Sequence, residues 1–260
     1  SFVEGGETLA VCALSQYETH GYRFLRGHHG PVWRSEPTAE QEAAALEALA
    51  SFAHGRDKGL VFIRIAVLHE LPLTHPVLST MPYDTTVVMD VTGGEDGILS
   101  RMKPRGRRDV RKALRECPAS CADETDRAAS SFGEYYRIMQ ETGERDGFAP
   151  APLSDYQSMV AGLGPDHCRV FAARTDDGVL LAWSLMTMNG GMAVRYYAAT
   201  THEAGRLRVA DKLVLFEALA AAGLGCDAYD LMGIGSEFSP ETMNLNEFKT
   251  KFAKDGVRHI

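Results

Sequence analysis

Apolar positions change their period along this chain, and the changes predict its elements. Residues 168–174, 179–188 and 192–199 are rich in apolar residues and read as strands. They are separated by Asp176-Asp177-Gly178 and Asn189-Gly190-Gly191, both of which are hairpin turn chemistry. Two hairpins in succession predict an antiparallel meander. A helical period follows from about Gly205 to Ala222, and Tyr229–Leu231 returns as a strand that runs out into a glycine loop. Upstream, Ser131 with Glu134 and Ser154 with Gln157 have the spacing of capping boxes, which predicts helices to about Arg145 and to Leu163.

The first half follows a similar order. Glu4-Gly5-Gly6 is a hairpin turn, with Phe2 and Val3 before it as the end of a strand. Residues 8–14 and 22–26 read as strands. Thr38 with Gln41 forms a capping box for a helix to about His54, with Leu46, Leu49, Ala50 and Ala53 on one face. Leu60 to Leu68 is an apolar run broken only by Arg64, which predicts a central strand. His69–Pro82 holds three prolines and reads as a loop, Thr85–Val91 as a strand, and Glu95–Arg115 as a helical stretch. The polar connection Pro118–Ala129 sets the expected boundary. An N-terminal domain is expected over residues 1–125, with residues 250–260 returning to it, and a C-terminal domain over 126–249. In both halves a turn precedes two strands, a helix and a strand, so an internal duplication is expected. The first copy lacks the helices that precede the meander in the second, and the chain begins at Ser1. A missing leading segment is therefore expected.

Composition narrows the class. With 260 residues, 45% hydrophobic and 24% charged, the chain can bury a sizeable core. No apolar run is long enough to span a bilayer. A net charge of -8 gives no general attraction to nucleic acid, so any contact with RNA has to come from a local patch. One such patch stands out: Arg101, Lys103, Arg105, Arg107, Arg108, Arg111, Lys112 and Arg115, with little acid between them. On a single helix, Arg101, Arg105, Arg108 and Lys112 share a face, and their repulsion costs a few tenths of a kcal/mol per pair. Phosphates opposite that face relieve it; the alternative is a solvated basic face docked on the acidic remainder. The five cysteines are odd in number and scattered, with no metal-ligand spacing. Reduced thiols in a cytoplasmic protein are expected, with no metal and no cofactor.

Several stretches, in order, resemble the FemABX family of aminoacyl-tRNA-dependent peptidyltransferases. Gly30-Pro31-Val32 is similar to the family's G-P-V. Val87-Val88-Met89-Asp90-Val91, followed by Arg105, Arg108, Val110, Arg111, Lys112 and Ala113, resembles its hydrophobic-D-L strand and K-x-R-x-x-I-R-K-A run. Glu141-Thr142 with Glu144-Arg145-Asp146-Gly147-Phe148 resembles E-T-x-x-R-D-G-F, and Tyr196–Thr200 the strand ending in Y-x-G-S. Tyr229-Asp230 with Gly233-Ile234 resembles Y-D-x-x-G-I, and Phe248-Lys249 with Phe252 resembles F-K-x-x-F. The resemblance implies an α/β (α+β) protein of two GNAT-like acyltransferase domains, with mixed, mostly antiparallel sheets splayed at the centre. It also implies transfer of an amino acid from an aminoacyl-tRNA donor to an amine. The coiled-coil arm of some members is absent. So is the arginine many members carry after R-D-G-F, where this chain has Ala149-Pro150-Ala151-Pro152, with Tyr156 as a shifted tyrosine. The acceptor is therefore a peptidoglycan precursor or a smaller natural-product amine. A lipid-linked acceptor would bring peripheral membrane contact. A monomer is expected.

Each candidate site residue has two readings. Lys249 stabilises the oxyanion or the leaving ribose hydroxyl, a donor role that contributes on the order of 3 kcal/mol, or it is a surface lysine flanked by core Phe248 and Phe252. Lys251 is the competing lysine. Asp230 orients the attacking amine or takes its proton, or it caps a loop. Tyr196 and Tyr197 point to opposite faces of a strand, one to core and one to the cleft. Arg145 contacts substrate or pairs with Glu141, Glu144 or Asp146. Phe248 and Tyr156 complete the substrate-binding set, and Arg101, Lys103, Arg105, Arg107, Arg108, Arg111 and Lys112 form the tRNA-binding set. His28 and His29 are loop residues or a base. Two other classes compete: an acyl-CoA-dependent N-acyltransferase and a catalytically inactive binding module. The CoA class needs a glycine-rich pyrophosphate loop before the crossover helix. Gly205-Arg206-Leu207-Arg208-Val209-Ala210 has no glycine at the place of close approach.

Overall fold

The structure, a computed structural model, describes residues 1–28, 30–75, 77 and 83–259. It divides into two compact units, Ser1–Ser79 and Thr80–Ile260.

The first unit holds β1 (Phe2–Glu4), β2 (Glu7–Val11), β3 (Ser15–Thr19), β4 (Tyr22–Arg26), β5 (Val32–Trp33), α1 (Ala39–Arg56) and β6 (Leu60–Arg64). The Gly5-Gly6 turn joins β1 and β2 antiparallel. Both halves of the Thr38–Gln41 capping box form at the start of α1. β6 differs from expectation: it ends at Arg64 and lies at the edge of the small sheet β3-β4-β6, with Val61 and Phe62 exposed. An apolar run does not by itself distinguish a central strand from an edge strand with an open face. His29 and part of the expected 69–82 loop lie outside the described residues.

The second unit holds β7 (Thr85–Asp90), α2 (Gly94–Arg101), α3 (Pro104–Glu116), β8 (Ser120–Asp123), α4 (Thr125–Ser130), α5 (Gly133–Asp146), α6 (Leu153–Leu163), β9 (Cys168–Arg174), β10 (Leu180–Asn189), β11 (Met192–Thr200), α7 (His202–Arg206), α8 (Val209–Gly223), β12 (Ala228–Gly233), α9 (Asn246–Thr250) and β13 (Val257–His259). A 3-10 turn over Pro240–Leu245 leads into α9. The seven strands form one sheet in the order β13-β7-β12-β11-β10-β9-β8. Alternation along β9 shows how it is filled: Phe171 and Ala173 enter the core under α8, while Val170 and Ala172 enter the core under α5 and α6. β10, covered on both faces, is apolar almost throughout for the same reason. Trp183 anchors the second core, donating Nε1–H to the Tyr135 carbonyl at 2.8 Å.

The expected boundary near residue 125 falls inside this unit. β7 pairs with β12, β8 pairs with β9, and β13 pairs with β7, so strands from residues 85–123 and 257–259 complete one sheet. The division instead falls between Ser79 and Thr80. The expected long helices are each broken. Pro104 starts α3 with Lys103 as its N-cap, which separates α3 from α2. Arg208, at φ 56°, separates α7 from α8. Neither downstream capping box forms: α5 begins at Gly133 behind Phe132, and α6 begins at Leu153 behind Pro152. The pairing does repeat between units, each taken on its own. β3–β4 is an antiparallel hairpin followed by α1 and a parallel β6; β10–β11 is an antiparallel hairpin followed by α8 and a parallel β12. No helix among the described residues is long and apolar enough to cross a membrane.

Candidate active site

The meander and the crossover helix create an opening in the second sheet. β11 and β12 run parallel and pair only at Met192–Ala228, Ala193–Tyr229 and Val194–Asp230. Beyond that point each strand follows its outer neighbour, β11 with β10 and β12 with β7. Two irregularities accompany the parting. The β10–β11 register shifts between Leu185 and Met186, so Tyr196 is an extra residue and is 45% exposed. The β12–β7 register shifts between Asp230 and Gly233, and Met232 there takes φ 67°. A left-handed methionine is uncommon and marks a strained bulge.

Asp230 is fixed within that bulge. One carboxylate oxygen, Oδ1, accepts from the Met232 N–H at 2.7 Å and from the Thr86 hydroxyl. Tyr83 lies across Gly233, its hydroxyl 3.7 Å from the Met232 sulfur. Burial and the nearby Asp230 and Tyr196 push its phenol up. A methyl group on Gly233 would run into the Tyr83 ring. We therefore expect Gly233→Ala to displace Tyr83 and destabilise the unit by about 1–3 kcal/mol; unfolding with denaturant tests this.

α9 brings Lys249 to the same place. Asn246 binds the Gly235 backbone at both ends, accepting from N–H at 2.6 Å and donating to the carbonyl at 2.9 Å. Lys249 then donates Nζ–H to the Gly233 carbonyl at 2.7 Å. No carboxylate among the described residues forms an ion pair with it. Burial, and then the positive charge of Arg195, lower it from the usual lysine value to about 8, with Asp230 opposing. Lys251 is placed differently. Its ammonium pairs with Asp211 and lies 3.7 Å from Asp109, over the Phe248 and Phe252 rings. Its surroundings are those of a structural lysine. Phe248 is half-buried, edge-on to Phe252.

The remaining candidates separate. Tyr196 faces out near Tyr83 and Asp230, and Tyr197 packs on Tyr156 with ring centroids 4.6 Å apart. Tyr156 is a correction: it is 1% exposed, stacked on Phe132 and edge-on to Trp183, so it is core and not a substrate contact. Arg145 is also placed as a brace, bound to Asp146 and donating to the Thr200 carbonyl at 2.8 Å. Thr142 bonds Thr200 as well, and Glu141 accepts from the His202 N–H. The Glu141–Phe148 signature thus clamps the end of α5 to the end of β11.

Of the basic set, Arg101 binds Asp90 and the Thr92 carbonyl, Lys103 donates to Thr250, Arg105 pairs with Glu247, and Arg107 donates to the Ser100 and Met102 carbonyls. Arg101 and Lys103 precede α3, so the single face expected from Arg101 to Lys112 does not exist. The rest of the basic set on α3 is Arg111 and Arg115, both exposed, with Arg108 exposed but 3.7 Å from Asp109, and Lys112, which reaches Glu116 at 3.6 Å. Gly106, Asp109, Val110 and Ala113 form the opposite, buried face. His28 contacts Tyr17, in the first unit.

Two residues absent from the expected set lie beneath the opening. Arg195 donates Nε–H to Glu217 at 2.8 Å, and Glu217, fully buried on α8, also accepts from the Tyr229 and Ser184 hydroxyls. An arginine within an apolar strand and a glutamate within the apolar run 213–222 were the available signals.

Residues 104–249 match the acetyltransferase (GNAT) domain family. The chain belongs to that family. Its resemblance to the FemABX proteins also holds. It is 27% identical over 179 residues to the UDP-N-acetylmuramoylpentapeptide-lysine N(6)-alanyltransferase of Weissella viridescens, a match over 68% of this chain and 50% of that protein. The matched part thus spans half the length of this relative. Among solved structures, FemX aligns with a TM-score of 0.73 at 16% identity, over 96% of this chain and 83% of that one. The C-terminal domain of a putative lysylphosphatidylglycerol synthetase from Agrobacterium fabrum aligns at 0.57 and 14%, over 92% and 76%. At these identities the structures show a shared fold.

Proposed function

We propose that this GNAT domain is an aminoacyltransferase that moves an amino acid from aminoacyl-tRNA to an amine, forming an amide. The carrying observation is Lys249, an ammonium held on the Gly233 carbonyl where β11 and β12 part, with Asp230 near it and no ion-paired carboxylate among the described residues. The amine nitrogen attacks the ester carbonyl, and Asp230 takes the proton it loses. Lys249 donates to the developing oxyanion. As the carbon–oxygen ester bond breaks, Lys249 gives its proton to the ribose oxygen. A lysine near 8 suits that transfer better than one at its usual value, because a proton donor works best with a pKa near the operating pH. The W. viridescens relative, named for alanyl transfer to a lysine nitrogen, supports the same bond change.

The donor reading draws on the exposed face of α3. We assign phosphates to Arg111 and Arg115, with Arg108 and Lys112 beside them reaching Asp109 and Glu116 at 3.7 and 3.6 Å; Arg101, Lys103, Arg105 and Arg107 are engaged by other segments of the fold. The start of α8 tells against CoA. Helix amides there would have to meet a pyrophosphate, yet residues 206–210 hold no glycine for the close approach, and Arg208 at the N-cap is engaged by Asp109 at 3.3 Å and by Asp211. The acceptor we favour is an amine of a cell-wall precursor. With no arginine in 149–156 and Tyr156 in the core, a smaller natural-product amine is the second reading.

Purified protein should transfer a labelled amino acid from charged tRNA to an acceptor amine, and RNase should stop it. Turnover of acetyl-CoA in place of charged tRNA would overturn the reading. Arg111→Ala with Arg115→Ala should weaken tRNA binding and lower the slope of log affinity against log salt by about 2.

A further inference from the structure

The opening between β11 and β12 has a floor of buried charge. Arg195 is the first residue of β11 past the last pairing with β12, and only 10% of its side chain is exposed. Its carboxylate partner, Glu217, is completely buried and is held by Arg195, Tyr229 and Ser184 from three strands. Glu217 is therefore fixed in place and its oxygens are occupied. The guanidinium is a fixed positive charge where β11 leaves β12, one residue past the Val194–Asp230 pairing, and Lys249 is held on the Gly233 carbonyl three residues further along the same β12, so both cations border one opening. The other groups around Lys249 are Asp230 and Tyr229 on β12, Tyr83 ahead of β7, Tyr196 on β11, and Glu247 and Lys251 on its own segment. Glu247 is engaged by Arg105, and Lys251 by Asp211.

We propose that Arg195 and Glu217 act as a charge-setting pair that governs the protonation of Lys249, making Arg195 a positioning residue for the transfer reaction. The proposal rests on the catalytic reading of Lys249. Two cations sharing a partly buried opening disfavour each other's charge. Arg195 stays protonated because guanidinium is the stronger base and holds Glu217. Lys249 is the one that yields. It becomes a more acidic donor, able to release a proton to the leaving oxygen and regain it from water. Glu217 sets how much of the Arg195 charge reaches it.

The signs make this testable. Lys249 can be followed directly by titrating protein labelled with 13C-lysine, its signal assigned from its loss in Lys249→Ala. In the unaltered protein it should titrate near 8. Arg195→Lys keeps the charge and should leave that value in place. Arg195→Met with Glu217→Gln removes both charges at similar volume, the exchange a buried pair tolerates best, and should raise the value by about one unit. Glu217→Gln alone exposes Lys249 to an uncompensated guanidinium and should lower it. Identical titration in the double variant and the unaltered protein overturns the proposal. The rate of aminoacyl transfer should fall as pH rises through the same value in each variant, because the oxyanion requires the ammonium. A Lys249 titration that shifts while this falling limb stays still would remove Lys249 from catalysis and leave the charge coupling intact, so the two ideas fail separately.

Discussion

Lys249→Ala should lower kcat for aminoacyl transfer by about 100- to 1,000-fold, with KM for the charged tRNA nearly unchanged. The size follows from removing one preorganised donor at a developing oxyanion, about 3–4 kcal/mol. The KM expectation follows because Lys249 is bound to the Gly233 carbonyl at the strand opening, whereas the phosphates are assigned to Arg111 and Arg115. Stability should hardly change, since the variant loses one hydrogen bond to the Gly233 carbonyl, a net of about 1 kcal/mol. Steady-state transfer assays and thermal unfolding, read together, check both halves. Turnover equal to the unaltered protein would remove Lys249 from the mechanism.

Lys251→Ala should give the opposite result. Lys251 is 8% exposed, between Asp109 and Asp211, which are both buried. Removing the lysine leaves the buried Asp211 with Arg208 at 4.0 Å, while Asp109 keeps Arg208 at 3.3 Å and Arg105 and Arg108 at 3.7 Å. Breaking a buried ion pair from one side costs about 3–5 kcal/mol. For a unit of this size that is a fall in Tm of roughly 6–15 °C. Trp183 lies in the core of the same unit, so its fluorescence reports the transition. Any enzyme that remains folded below that temperature should retain most of its kcat. Two lysines with a single residue between them should therefore separate, one losing rate and the other stability.

The F-K-x-x-F resemblance pointed to Lys249, but the physical difference between these two lysines was not in the sequence. Spacing put both near Phe248 and Phe252, and only the fold showed that one meets a carbonyl and the other two carboxylates. The meander was legible because β9, β10 and β11 are long, apolar and separated by glycine turns. The Thr38 box was legible because both its partners are local. The Ser131 and Ser154 boxes had the same spacing, but Phe132 is 0% exposed and its burial decides where α5 begins. The boundary near 125 was misplaced because β8 looks polar: it is the outermost strand, with most of its side chains in water. Arg195 and Glu217 were missed because a buried charge is visible in sequence only as an interruption, and its partner lies 22 residues away.

The carboxylates at the start of α8 also bear on inhibitor chemistry. Compounds built around a diphosphate succeed where a helix offers bare amides to an anion; here Arg208 stands at the N-cap, its guanidinium already engaged by the buried Asp109 and Asp211. A selective ligand has to come in from the parted strands. Lys249 and Asp230 stand there with opposite charges, so the scaffold to try first is a zwitterion.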